Sequence, residues 1–420
     1  MDLYPILFQY KWVIIFYSLV VILIYLNRKK FEIQGKIIAI YRTKLGVKFM
    51  QNLGTKYSEL IKIFGYMATG TAFTLMFVVV LMFALILYGT LKQFFLTGTA
   101  TAAIAPFIPG VPIPGSPITP PLFPSLIAVF IVIIIHEASH GIVAAAYKIK
   151  IQSSGYAQFG PIPAAFVEPD EKAMKKQPNI VQYSIFSAGI FSNLLLALLF
   201  FLVFIFVITP VNNSTLEPYG FNFIGIEPDQ PAAHAGLQPG IVYNTINGKT
   251  IINNSDFMNI FQCAPAGTSF IIANKNYTFN LTSIPKPGDA QKAYLGIQCY
   301  TSSQGSVCIN TAYRIKNGLN PYLLKLLSFV REVIYWDLLI SLGLALINLL
   351  PCGPFDGGRM FLIASESIFG KDKGKEIWIK LSYIVLLVIF ILFLPILIAI
   401  LHLILAGFQI IISALLSLFK

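Results

Sequence analysis

The residues with the plainest capacity for chemistry are His136, Glu137 and His140, in the run His136-Glu137-Ala138-Ser139-His140. On an α-helix, residues four apart share a face, so both imidazoles reach one ion. Glu137 then projects beside them, where a general base belongs. Zinc suits two imidazoles and a carboxylate, with a fourth position open to water. Water on zinc has a pKa near ~7 and attacks a peptide carbonyl at neutral pH. The same five-residue pattern also occurs by chance in soluble helices. Here it lies inside an apolar run over 125–147, SLIAVFIVIIIHEASHGIVAAAY. A charged residue within a membrane span costs roughly 2.5–3.5 kcal/mol on insertion scales. Three titratable groups in one such span therefore call for a compensating role, and a metal site supplies it. His136 lies eleven residues after Ser125, about 16 Å along a helix rising ~1.5 Å per residue. That depth is past mid-membrane. Gly141 and the small residues Ala144 to Ala146 leave room for another helix.

Two histidines do not complete a catalytic zinc site, and the missing ligand must lie at similar depth. An apolar stretch near 329–350 ends in Asn348-Leu349-Leu350-Pro351-Cys352-Gly353-Pro354-Phe355-Asp356-Gly357-Gly358-Arg359. Irregular backbone at membrane depth is tolerated only where it is buried in protein or lines a polar cavity. Asp356 is thus the candidate third ligand. Its competing role is a helix cap, or an interfacial partner of Arg359.

Together, His136-Glu137-Ala138-Ser139-His140, Asn348-x-x-Pro351 and Asp356-Gly357 resemble the paired signature of the site-2 protease family of intramembrane metalloproteases. The resemblance implies one Zn2+ per chain held by His136, His140 and Asp356, with Glu137 as general base. It implies that Asn348 helps hold substrate or the developing oxyanion, as an amide in a water-poor site can. It also implies cleavage of membrane-anchored protein substrates in or beside the bilayer. Ser187-Ala188-Gly189-Ile190-Phe191-Ser192-Asn193 resembles the family's A-G-x-x-x-N stretch. Asn193 is then a candidate substrate or catalytic residue, or one making a helix–helix hydrogen bond. The stretch 159–169, with Gly160 and Phe166, resembles the family's membrane-dipping β segment, whose edge could pair with an unwound substrate. The family usually has Leu where this chain has Phe355, and both are apolar.

The elements that must carry these residues follow from composition. Of 420 residues, 56% are hydrophobic and 11% charged, against roughly 25% charged in soluble domains. The expected class is an α-helical polytopic membrane protein of about six or seven spans. The spans fall near 3–26, 66–96, 125–147, 183–209 and 329–350, with a tail over 381–419 that crosses once or as a tight pair. The stretch Leu3 to Leu26 lacks the basic n-region and A-x-A site of a signal peptide and is read as a retained span. The net charge of +12 gathers in 27–65, 148–180 and 359–380. The charge rule makes these segments cytoplasmic and puts the N-terminus outside, in a cell membrane. Nucleic acid is not an expected partner; lipid is. The segment 27–65 is read as a basic cytoplasmic loop, with an amphipathic surface helix as the alternative.

A polar insert over 211–315 falls outside by the same rule, and it carries N-x-[ST] acceptor patterns at Asn212, Asn213, Asn253, Asn276 and Asn280. Its run Gly225 to Lys249, with Tyr294-Leu295-Gly296-Ile297 later, resembles a bacterial-type PDZ domain, an extracytoplasmic α/β insert. Ile241 stands where such domains often have Asp. The insert either binds a peptide ligand or acts as a spacer crowding the entrance. Of Cys263, Cys299 and Cys308 at most one disulfide can form, and Cys299 with Cys308 is the preferred pair. His234 and His402 are read as non-ligands. The domains run 1–65, 66–124, 125–210 (the catalytic core), 211–315 (the insert) and 316–420. The reading from another class is a non-catalytic receptor or scaffold with a structural zinc. A transporter would show matched broken halves, and none is seen.

Overall fold

The computed structural model describes residues 10–35, 38–98, 104–113, 118–160, 162–261, 264–302, 305–316 and 320–418. Cys263 and the side chain of His402 lie outside the described residues. The chain divides into two units, Met1–Phe204 with Phe329–Lys420, and Ile205–Ser328.

In the first unit the main helices are α1 (Lys11–Leu26), α2 (Val47–Lys56), α3 (Ser58–Thr97), α4 (Leu122–Ala146), α5 (Asn179–Val203), α6 (Pro321–Asn348, whose first residues belong to the second unit), α7 (Asp356–Phe369) and α8 (Lys371–Leu418). Four helical segments among the described residues are long and apolar enough to cross a membrane: Ser58–Thr97, Leu122–Ala146, Asn179–Thr215 and Lys371–Ile398. Their apolar side chains stay outward-facing in large number, Phe77, Leu85 and Phe95 on α3 among them. That is the pattern expected where lipid tails replace water as the solvent. α1 is apolar but shorter. α6 is not in that set and carries Arg331, Glu332 and Asp337. The tail runs as one helix, α8.

The helices pack where small residues allow it. α2 crosses α4 closely enough that a Cβ on Gly54 would lie 2.5 Å from the Ile142 carbonyl oxygen. Gly141 likewise gives way to the Met50 thioether, and Ala144, Ala145 and Ala146 are buried. The close approach expected at these alanines is thus made by α2. A shared apolar core joins Ala72 and Met76 of α3, Ala144 of α4, Ala188 and Ile190 of α5, and Leu349, Leu350 and Met360 around the start of α7.

The segment 27–65 is not the loop expected of it. It folds into β1 (Glu32–Gln34), β2 (Ile38–Thr43) and α2, then enters α3. With β3 (Ile151–Phe159) and β4 (Ile162–Pro169) these strands form one antiparallel sheet in the order β1-β2-β3-β4. Arg42 is part of the reason: it pairs with Glu32 on β1 and with Glu168 on β4, the latter at 3.0 Å. Charge alone gave no sign of partners so distant in sequence.

The second unit is α/β. Strand Leu216–Phe223 pairs with Ile309–Ile315, and a four-stranded sheet contains Thr245–Ile246, Lys249–Thr250, Ser269–Ala273 and Thr278–Thr282. Helix Asn254–Phe261 packs onto a core of Phe221, Phe223, Tyr243, Ile272 and Leu281. Cys299 and Cys308 form a disulfide.

Candidate active site

α4 turns His136 and His140 to the same side, as a spacing of four requires, and both are buried. α6 ends at Asn348, and α7 starts at Asp356 after the irregular stretch 349–355. Gly357 and Gly358 let that start sit deep. A Cβ on Gly358 would lie 2.0 Å from the Cys352 carbonyl oxygen, and one on Gly357 2.6 Å from that of Leu349. The Asp356 carboxylate thereby reaches the histidines, with Oδ2 at 3.2 Å from His136 Nε2 and 3.4 Å from His140 Nε2. The two Nε2 atoms are 3.2 Å apart. Asp356 forms no ion pair with Arg359, whose guanidinium stacks over Phe186 at 5.4 Å.

α5 backs the pair. The His140 Nδ1 lies 2.6 Å from the Ile185 carbonyl oxygen, which fixes that ring with Nδ1–H donating and Nε2 left as a lone pair. Behind His136, the Asn193 amide lies 3.1 Å from Nδ1. Asn193 is fully buried, and its Oδ1 as placed has no partner. Turning the amide over gives Oδ1 the Nδ1–H of His136, satisfies the orphaned oxygen and leaves His136 Nε2 free to ligate. Gly189 lets α5 come this close to both rings: a Cβ there would lie 2.4 Å from His140 Nε2 and 2.7 Å from His136 Cε1.

These three groups are the cluster with metal-binding geometry among the described residues. Ligands at zinc distances of 2.0–2.1 Å, set at tetrahedral angles, lie about 3.3 Å from one another. The three observed separations, 3.2, 3.2 and 3.4 Å, match that triangle. Two imidazoles and one carboxylate also form a catalytic rather than a closed structural donor set. The residues therefore fit zinc.

Glu137 is half-buried beside the triangle, and its Oε2 accepts the Val167 backbone N–H from β4 at 3.1 Å. Both open onto a cleft of about 1200 Å3 that Asn348, Asp356, Phe166 and Arg359 also line. Gly160 sits at the exposed β3–β4 turn with φ +54°. It is not among the cleft residues. Asn193 is likewise behind the histidines and not in the cleft.

The sequence pattern described as Peptidase family M50 matches residues 124–390. The chain belongs to that family. It is an integral membrane protein by this membership and its four apolar segments. An M50 assignment supports a peptidase, and family M50 is the site-2 protease family that the motifs resemble. The chain is 29% identical over 364 residues, 83% of each protein, to an uncharacterized protein of Methanocaldococcus jannaschii. It is 24% identical over 220 residues to a protein of Enterococcus faecalis named probable protease eep, covering 45% of this chain and 51% of that one.

Within this M50 chain several contributors escaped sequence reasoning. The Ile185 carbonyl and Val167 N–H are backbone groups and leave no residue-type signal. Gly189 stands in the A-G-x-x-x-N stretch noted in the sequence, but its contact with the imidazoles is not readable from spacing. The second unit has its own pocket of about 390 Å3. Phe257, Phe261, Leu295 and Ile297 line it, with Lys286 and Lys292 among the polar residues.

Proposed function

We propose that this chain is an intramembrane zinc metalloendopeptidase that hydrolyses peptide bonds of membrane-anchored proteins in or near the bilayer. The observation that carries the reading is the triangle of His136, His140 and Asp356 with the Glu137 carboxylate beside it in an open cleft. His136, His140 and Asp356 would hold Zn2+, which supplies a Lewis acid and lowers the pKa of water toward neutrality. Glu137 accepts the proton of the attacking water and passes it to the leaving amine. The Val167 N–H holds that carboxylate in place. Asn348, at the end of α6 and on the cleft, offers its amide N–H to the oxygen that gains charge. The free edge of β4 along the cleft pairs with an unwound substrate segment.

The cellular role fitting such chemistry is regulated intramembrane proteolysis. The orientation we favour places the basic segments in the cytoplasm and the N-terminus and insert outside, in the cell membrane. We read the insert as PDZ-like, with its pocket taking a peptide ligand or screening substrates by size. A receptor or scaffold with a structural zinc gives no role to Glu137 at the cleft, and family membership does not favour it.

The test is the zinc content of detergent-purified protein with its proteolysis. About one zinc per chain, clear loss in Asp356→Ala, and cleavage abolished in Glu137→Gln support the reading. A well-folded wild-type chain without zinc would overturn it.

A further inference from the structure

Cleavage beside Glu137 requires the substrate backbone to be held in register, and the edge of β4 is built to hold it at one residue. β4 is the last strand of its sheet, so one edge is unpaired, and residues 162–170 line the cleft. Phe159 pairs with Ile162 across a two-residue turn. The closing pair of such a hairpin exchanges both hydrogen bonds, and bonded and non-bonded pairs then alternate. Ala164 opposite Ala157 and Phe166 opposite Gly155 therefore turn their N–H and C=O groups to β3. Pro163, Ala165 and Val167 turn theirs to the free edge. Two independent observations agree with this parity. The Val167 N–H leaves the sheet for Glu137 Oε2. Pro163 stands where the sheet needs no N–H, the place a strand tolerates proline.

The edge consequently has three outward carbonyls but one available donor. The Val167 N–H is committed to Glu137, Pro163 has none, and only the Ala165 N–H remains. We propose that Ala165 sets the substrate register: its N–H and C=O form the two-bond pair with a single residue of an extended substrate strand. The proposal rests on the peptidase reading above. Residues two apart on a strand are separated by about 6.8 Å, and Val167 is the residue bonded to Glu137. The substrate residue held by Ala165 thus lies about two residues from the peptide bond beside Glu137. That residue must present a backbone N–H to the Ala165 carbonyl, so proline is rejected there.

The test compares Ala165→Pro with Ala165→Ser in the full chain. Proline at 165 removes an N–H that the sheet does not use, as at Pro163, while serine keeps it. The probe is a single-span leucine–alanine peptide with a glycine- and asparagine-rich centre, in detergent micelles. We expect Ala165→Pro to lose about tenfold in kcat/KM, the worth of one backbone hydrogen bond, with zinc content unchanged. Ala165→Ser, which keeps the N–H, should lose clearly less than Ala165→Pro. In Glu137→Gln, binding of the uncleaved peptide should slow hydrogen exchange at one further amide in 162–169. Cleavage by Ala165→Pro at the parental rate overturns the proposal. If that variant loses zinc or fails to fold, the exchange measurement decides, and no added protection overturns it. No cleavage by the parent chain, with zinc bound, overturns the peptidase reading instead.

Discussion

Gly189 on α5 meets His140 on α4 so closely that a methyl group on its Cα would lie 2.4 Å from the imidazole Nε2. That nitrogen is one of the three converging ligand atoms. The smallest substitution at Gly189 would press on both imidazole rings and push at least one out of the ligand triangle. Gly189→Ala should therefore lower bound zinc to well below one per chain and abolish proteolysis. Metal analysis of purified protein checks it; full zinc occupancy in the variant would refute this role for the glycine.

Asn193 is expected to act through His136 and not through substrate. Orienting partners of metal-bound histidines are worth about 10–100-fold in metal affinity. Asn193→Leu, which removes the acceptor for Nδ1–H, should weaken zinc binding by about that factor in chelator competition. Asn193→Asp keeps an acceptor and should restore most of the affinity. Equal affinities for the leucine and asparagine forms would assign Asn193 to helix packing alone.

Glu137 separates chemistry from metal binding. It is not part of the ligand triangle, so Glu137→Gln should keep its zinc. A positioned general base contributes about 10²–10⁴-fold, and the rate on the leucine–alanine peptide should fall by at least that range. A variant that retains zinc and turns over normally would remove Glu137 from the mechanism.

In the second unit the Tyr294 hydroxyl donates to Glu227 at 2.5 Å, and this hydrogen bond pushes the phenol from 10.0 up to about 12. The folded state therefore holds the proton more tightly than the unfolded chain. The contribution is complete below pH 10 and is lost as pH rises from there to about 12. Ultraviolet titration of wild type minus Tyr294→Phe should reveal one phenol ionising near pH 12. Alkaline unfolding of that unit should begin earlier in the variant. A difference spectrum with its midpoint near 10 would show that the hydrogen bond does not form in solution.

Much of the site was legible because its logic is local. A spacing of four puts His136 and His140 on one helix face whatever the rest of the chain does. The apolar run around them makes their cost visible, and the proline- and glycine-rich backbone before Asp356 marks a buried or cavity-lining break in a span. The family match over residues 124–390 spans the same motifs. The sequence by itself thus determined the candidate ligand set, the membrane setting and the polar insert. Tertiary structure decided what meets what. Arg42 and Glu168 are 126 positions apart, and nothing in a basic stretch says that it becomes two strands of the β3–β4 sheet. Asn193 could have faced substrate or a neighbouring helix, and only the crossing of α4 and α5 turns it to the back of His136. Periodicity fixes which residues share a face of one element. Which faces come together, and at what register, depends on contacts distributed over the whole chain.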